Sequence, residues 1–179
     1  DNDSTKITAT SYIRCMPQTC AVNISVLLGL TGRLITTNTA CTAGSLSIGY
    51  AAEAIANGEQ DVMIAGGAEE LNPTCSAVFD VLFATSVKND TPKITPASYD
   101  RDRDGLVVGE GAGSIILEEY EHAKARGAHI YAELVGFGTN TDGNHLTNPK
   151  KETMQIALEL AMKKAGIGPE QIGYVNGHG

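Results

Sequence analysis

Helix-like and strand-like segments alternate along the whole sequence, with glycine–alanine runs between them, and this pattern restricts the chain to closely packed α/β layers. The spacing predicts a helix over Pro17–Gly29, a short strand at Leu34–Thr37 and a helix over Thr42–Asn57 closed by Gly58. A buried strand follows at Asp61–Ala65, then a helix near Ser76–Phe83 within an otherwise irregular stretch. Ser114–Glu118 reads as a strand, Glu119–Arg126 as a short helix capped by Gly127, and Ile130–Phe137 as another strand. Glu152–Ala165 is the clearest amphipathic helix, with Met154, Leu158, Ala161 and Ala165 on one stripe and Gly166 and Pro169 ending it. Ile172–Val175 reads as a last strand.

Charge narrows the function. The net charge of −8 leaves no basic stripe to meet phosphates, which excludes a nucleic-acid binder. Local basic pairs remain at Lys6 with Arg14 and at Lys150-Lys151. The four cysteines, Cys15, Cys20, Cys41 and Cys75, show no zinc-like pairing, and a 179-residue chain needs no disulfide framework. Reduced thiols in a cytoplasmic protein are expected, with no metal. No signal peptide and no membrane-spanning apolar run is visible. The chain stops on Asn176-Gly177-His178-Gly179 directly after an apolar run, which reads as a fragment of a longer fold.

The strongest chemical signal is Thr39-Ala40-Cys41-Thr42-Ala43-Gly44-Ser45, between an apolar strand and a small-residue helix. That setting puts Cys41 at a sharp turn by a helix N-terminus, where the positive end of the helix dipole favours a thiolate, the form that attacks thioesters. Gly44 and its alanine neighbours leave room for a substrate beside the sulfur, and the Cys41 N–H is a candidate oxyanion donor. Spacing alone leaves a second reading open, a structural cysteine packed as a small hydrophobe. Cys15, Cys20 and Cys75 lack this setting and are expected to be structural.

The Cys41 segment resembles the nucleophile motif of the β-ketoacyl-acyl-carrier-protein synthases, the elongating condensing enzymes of fatty acid synthesis. Three further stretches resemble that family in the same order: Asp100 to Gly113, Glu118 to Ala128, and Tyr174-Val175-Asn176-Gly177-His178-Gly179. The resemblance implies a thiolase-like αβαβα layered fold, present in part. Residues 1–128 would be the later part of the first half, and 129–179 the start of the second. It also implies a reaction without metal or redox cofactor. Cys41 accepts an acyl chain from an acyl carrier protein. A malonyl-loaded carrier then loses CO₂, and its carbanion attacks the Cys41 thioester to give a 3-oxoacyl product.

The family's functional residues carry over by position. His178 would bond the malonyl thioester carbonyl and stabilise the enolate; its residue-level alternative is an exposed loop histidine. Phe79 matches an acyl-pocket phenylalanine. Asp142, His145 and Thr147 would border the pantetheine arm, with a plain polar loop as the alternative. Lys6 and Arg14 fall where basic residues meet the acidic carrier, and a −8 protein needs such a local patch. Ordinary solvated charge is the alternative for both. His122 and His129 read as surface and loop residues. The family is homodimeric through the nucleophile helix and the strand before it.

Family members also carry a second histidine, a lysine and a gating loop beyond the His178 motif. The sequence in hand has none of these, so the 179-residue chain alone is expected not to catalyse condensation. The rival readings are a polyketide ketosynthase, a thiolase, a non-catalytic partner subunit and an inactive fragment. Two other patterns are set aside. Asp100-x-Asp102-x-Asp104-Gly105 opens like a calcium loop, but its twelfth position is Gly111 rather than glutamate, so carboxylates and arginines pairing with one another are expected there. Gly109-x-Gly111-x-Gly113 lacks the dinucleotide-binding spacing and is expected to permit close packing before a strand.

Overall fold

A computed structural model of the chain describes residues 7–144 and 148–178. In chain order the helices are α1 (Ala9–Arg14), α2 (Thr19–Leu28), α3 (Ala43–Ala56), α4 (Pro73–Val81), α5 (Tyr120–Ala125) and α6 (Lys151–Ala165). The strands β1 (Val62–Glu69) and β2 (Gly111–Glu118) pair in a two-stranded sheet. The Glu119 N–H donates to the Asp61 carbonyl at 2.9 Å, so the end of β2 lies beside the start of β1 and the pair runs antiparallel.

The helix ends follow local chemistry. α2 and α6 each stop at a glycine in the left-handed conformation, Gly29 (φ 64°) and Gly166 (φ 69°). α4 starts earlier than its apolar pattern predicts. The Asn72 side chain accepts the Cys75 N–H at 2.9 Å, and Pro73 supplies a preset first-turn φ. β1 runs on through Gly66 and Gly67, two glycines that appear in the sequence as a strand end.

Three predicted strands are absent. Leu34–Thr37, Ile130–Phe137 and Ile172–Val175 carry no sheet ladder among the described residues. An apolar run becomes a strand only beside a partner, and these runs find none here. The stretch near Gly136 and Gly138 packs on α6 instead. A side chain at either glycine would collide with α6 backbone, at Ala161 and Ala157 respectively. The face α6 turns inward is therefore the small ridge Thr153, Ala157, Ala161 and Ala165, and the predicted stripe is wrong at Met154 and Leu158, which are 57% and 63% exposed. Close glycine–helix approach selects alanine over the larger apolar side chains.

The chain divides into two compact units, one formed by Asp1–Gly67 with Ser114–Pro169, the other by Ala68–Gly113 with Glu170–Gly179. In the first unit, Glu118 at the end of β2 is tied to α5. Arg126 reaches its two oxygens with Nε and a terminal nitrogen at 2.7 and 2.6 Å, and His122 Nδ1 lies 2.6 Å from Oε1. The Arg126 hydrogen bond is the main reason the Glu118 carboxyl is lowered to about 2, with His122 assisting against the opposing effect of burial. Glu119 caps α5 by accepting the His122 N–H at 2.7 Å.

Among the described residues the buried hydrophobic side chains are all alanines: Ala51, Ala54, Ala65 and Ala123. Large apolar side chains such as Leu27 (82% exposed) and Ile116 (69%) stay open to solvent.

Candidate active site

Cys41 lies in a 3-10 turn, Ala40–Thr42, that runs directly into α3 at Ala43. The preceding residue, Ala40, has φ 51°, the left-handed region that side chains other than glycine rarely adopt. Thr42 braces the turn: its N–H and its hydroxyl both reach the Thr39 carbonyl, at 3.3 and 2.9 Å. The Thr37 hydroxyl donates to the Ala43 carbonyl at 2.9 Å, fixing the extended run to the first helical residue. The sulfur-bearing residue is thus presented at a helix start, on a strained backbone closed by threonine hydroxyls.

Exposure does not single Cys41 out. Cys15, Cys20 and Cys41 are all exposed and only Cys75 is half-buried, which corrects the expectation that the other cysteines are packed into a core. What distinguishes Cys41 is its backbone setting. The missing side chain of Gly44 faces Gly67 of β1, whose Cα is 3.9 Å from where a Cβ would stand, so helix and strand approach closely there.

Arg14 and Asp142 belong to the same unit as Cys41. Arg14 is exposed in the last turn of α1. Asp142 is half-buried and engaged locally: one carboxylate oxygen accepts the Asn144 N–H at 2.8 Å and the other the Lys150 N–H at 3.4 Å. Asn144 closes the same loop by donating to the Asn148 carbonyl at 2.7 Å. Lys6, His145 and Thr147 lie outside the described residues.

Phe79 and His178 belong to the second unit. Phe79 is half-buried on α4, and its carbonyl accepts the Ala84 N–H at 3.0 Å. His178 is exposed and follows Gly177, where any side chain would run into the Tyr99 hydroxyl. An exposed apolar groove runs along α4, lined by Thr74, Ala77, Val78, Val81 and Leu82.

Two carboxylates organise the acidic loop of this unit: Asp100 accepts the Asp102 N–H at 2.7 Å, and Asp104 gathers a second set of partners. Asp104 accepts the Ser86 hydroxyl at 2.8 Å and the Val87 N–H at 2.8 Å, with the Lys88 ammonium 3.6 Å away. Lys88 Nζ also donates to the Asp102 carbonyl at 2.6 Å. The expected carboxylate–arginine pairing is thus minor: Arg101 meets Asp102 only at 3.5 Å on an open surface, and Lys88 and Ser86 do the holding. Burial pushes the Asp104 carboxyl up, but the Val87 and Ser86 hydrogen bonds and the Lys88 charge together outweigh it and hold it below its ordinary value. The glycines at 109, 111 and 113 face open space rather than close neighbours, which corrects the packing role expected of them. Among the described residues no group of histidine, cysteine, aspartate and glutamate is placed to hold a metal ion, and no helix is long and apolar enough to cross a membrane.

Sequence reasoning missed Ser47, Thr37 and Thr42 as parts of the Cys41 surroundings. Their signal is the density of hydroxyl residues on both sides of the turn before α3, where such side chains satisfy backbone groups left open by the turn.

Comparison with known proteins fits this geometry into a family. The beta-ketoacyl synthase N-terminal domain matches residues 1–123, and the beta-ketoacyl synthase C-terminal domain matches residues 131–179. A 3-oxoacyl-[acyl-carrier-protein] synthase 2 from Vibrio cholerae serotype O1 is 51% identical over 162 residues, which are 89% of this chain and 39% of that protein. The crystal structure of a beta-ketoacyl synthase from Burkholderia phymatum superposes with a TM-score of 0.96 at 55% identity, covering 99% of this chain and 43% of that one. A type II PKS ketosynthase, solved in complex with its acyl-carrier protein, superposes with a TM-score of 0.85 at 34% identity, covering 94% of this chain and 42% of that one. The chain therefore spans about two fifths of the length of the relatives it matches. Its α/β architecture is part of the thiolase-like fold of these ketosynthases. The chain belongs to the beta-ketoacyl synthase family.

Proposed function

We propose that this chain is the nucleophile-bearing part of a 3-oxoacyl-[acyl-carrier-protein] synthase, an acyltransferase of fatty acid elongation, and that Cys41 is its acyl acceptor. The observation that carries the reading is the Cys41 turn, an exposed thiol on a strained, hydroxyl-braced backbone at the start of α3, in a chain 51% identical to such a synthase. The Cys41 thiolate attacks an acyl thioester carbonyl, and the carrier's phosphopantetheine thiol leaves with a proton. Malonyl-carrier then loses CO₂. The carbanion formed displaces the Cys41 sulfur from the acyl carbonyl, giving 3-oxoacyl-carrier and free Cys41.

In this reading His178 donates to the malonyl thioester carbonyl as its enolate develops, which is where a preorganised donor lowers the barrier. Phe79 lines the acyl chain, and Asp142, His145 and Thr147 border the pantetheine arm. Lys6 and Arg14 attract the acidic carrier protein, a steering role that weakens as salt rises. The complex of a related ketosynthase with its acyl-carrier protein supports that partner. The chemistry calls for no cofactor. A cytoplasmic homodimer, with the family's two halves dividing near residue 129, completes the proposal.

The test is labelling of the complete polypeptide with a cerulenin-type epoxide, followed by peptide mapping. Modification at Cys41 supports the reading; modification at Cys15 or Cys75 in its place overturns it. A polyketide ketosynthase is the second reading, favoured by the 34% identical neighbour but with less identity than the synthase relative. Repeated extension without reduction of the 3-oxo group would favour it.

A further inference from the structure

The start of α3 is bound to β1 through one side chain that the reaction above does not use. Ser47, half-buried in the second turn of α3, places its hydroxyl 2.8 Å from the Gly44 carbonyl and 2.7 Å from the Gly66 carbonyl, and it accepts the Gly66 N–H at 3.0 Å. A hydroxyl carries one proton and two lone pairs, so it can serve a carbonyl and an amide at once. Here it meets both backbone groups of Gly66. Beside it, the backbones of α3 and β1 approach so closely that a Cβ at Gly67 would stand 3.3 Å from the Gly44 Cα. On the other side of the helix start, Thr37 holds the Ala43 carbonyl. The first turn of α3 is therefore tied to its surroundings on two sides, directly after the left-handed Ala40. A strained residue keeps its conformation only where its neighbours over-determine it. Ser47 is the polar member of that set shown to reach β1, through Gly66.

We propose that Ser47 is a positioning residue for Cys41: its bridge from α3 to Gly66 sets the height of the helix start against β1, and with it the place where the sulfur is presented. The inference rests on the reading of Cys41 as the acyl acceptor. A serine that bonds back to its own helix can also simply relieve a helical carbonyl. The Gly66 contacts are what separate the two roles, because they leave the helix.

The test uses the complete polypeptide and two probes, octanoyl-N-acetylcysteamine thioester and iodoacetamide, with modification rates mapped by mass to each cysteine. Acyl transfer needs a placed sulfur, whereas alkylation of Cys15, Cys20 and Cys75 reports on the fold at large. Ser47→Ala is expected to slow acylation of Cys41 about ten-fold, with alkylation of the other three cysteines within about two-fold of the unaltered protein. Ser47→Thr, which keeps the hydroxyl, is expected to restore acylation. Should Ser47→Ala fail to fold, Gly67→Ala moves β1 away from α3 with Ser47 intact and is expected to lower Cys41 acylation in the same selective way. Unchanged acylation in Ser47→Ala overturns the proposal, as does a fall matched by faster alkylation at Cys75, which marks general loosening. If the unaltered protein is not acylated at Cys41, the nucleophile reading itself fails; if it is acylated and Ser47→Ala leaves the rate unchanged, only the positioning role does.

Discussion

The turn at Cys41 and the loop at Asp100–Gly105 are both tight and both flanked by glycine, yet they are held by different forces. At Cys41 the partners are neutral: threonine and serine hydroxyls on backbone groups, and two glycines in contact. At the acidic loop they are charged, with the Asp104 carboxylate gathering Ser86, Val87 and Lys88, and with Gly105 placed where any side chain would collide with the backbone of Thr85 and Ser86. Neutral hydroxyl bonds do not change with pH and are barely screened by salt, whereas a carboxylate–ammonium contact responds to both. A turn built the first way keeps its geometry over a range of conditions. The loop built the second way is the one that solution conditions can loosen.

The largest effect expected from packing lies beside α3. A methyl group at Gly49 of α3 would collide with the Phe137 ring, which meets Tyr50 edge-on with centroids 6.2 Å apart. Gly49→Ala in the complete polypeptide should cost about 1–3 kcal/mol in urea unfolding. An unchanged midpoint would show that this region is not packed as described. Asp104→Ala should lower the midpoint by less and should speed proteolytic cleavage between residues 84 and 106, while cleavage near Cys41 stays slow. Equal loss of protection at both places would end the contrast between them.

Acid should separate the regions in a graded way. Glu118 sits at about 2 in the fold, against an ordinary value of 4.5. A depressed carboxylate contributes stability that is complete above the unfolded value and is lost as pH falls through the folded one. The loss therefore falls between about pH 4.5 and pH 2. Asp104, also lowered, adds to the loss below its ordinary 3.8. Hydrogen-exchange protection should fall in that window at β2–α5 and at residues 84–106, before it falls at residues 39–47. Glu118→Gln should remove the part of the pH dependence at β2–α5. The smallest effect belongs to the exposed Lys124–Glu121 pair, 3.0 Å apart on α5. Lys124→Ala should change stability by about 0.5 kcal/mol or less.

Local chemistry explains what could be read in advance. α3, α5 and α6 are legible because caps, glycine stops and periodicity lie within the segment itself, as at Gly166 after Ala165. Ile130–Phe137 misleads because a strand is defined by its neighbour, and its glycines, Gly136 and Gly138, mark contact with α6 rather than a ladder. Met154 and Leu158 mislead because hydrophobicity ranks them above alanine, while the glycine backbone at 136 and 138 lies against Ala157, Ala161 and Ala165. Cys41 stands out in sequence through the small residues after it. Ser47 does not, because its partners on Gly66 are brought in by the fold. The roles proposed for His178, Lys6 and Arg14 are legible only through family resemblance, since nothing in the spacing around these residues requires a function.

The most direct test is acyl transfer from acyl-loaded carrier protein to the complete polypeptide, with the modified residue identified by mass. The account predicts a thioester on Cys41, formed in the unaltered protein and abolished in Cys41→Ala. An acyl group found on Cys15, Cys20 or Cys75, or one that persists in Cys41→Ala, would contradict it.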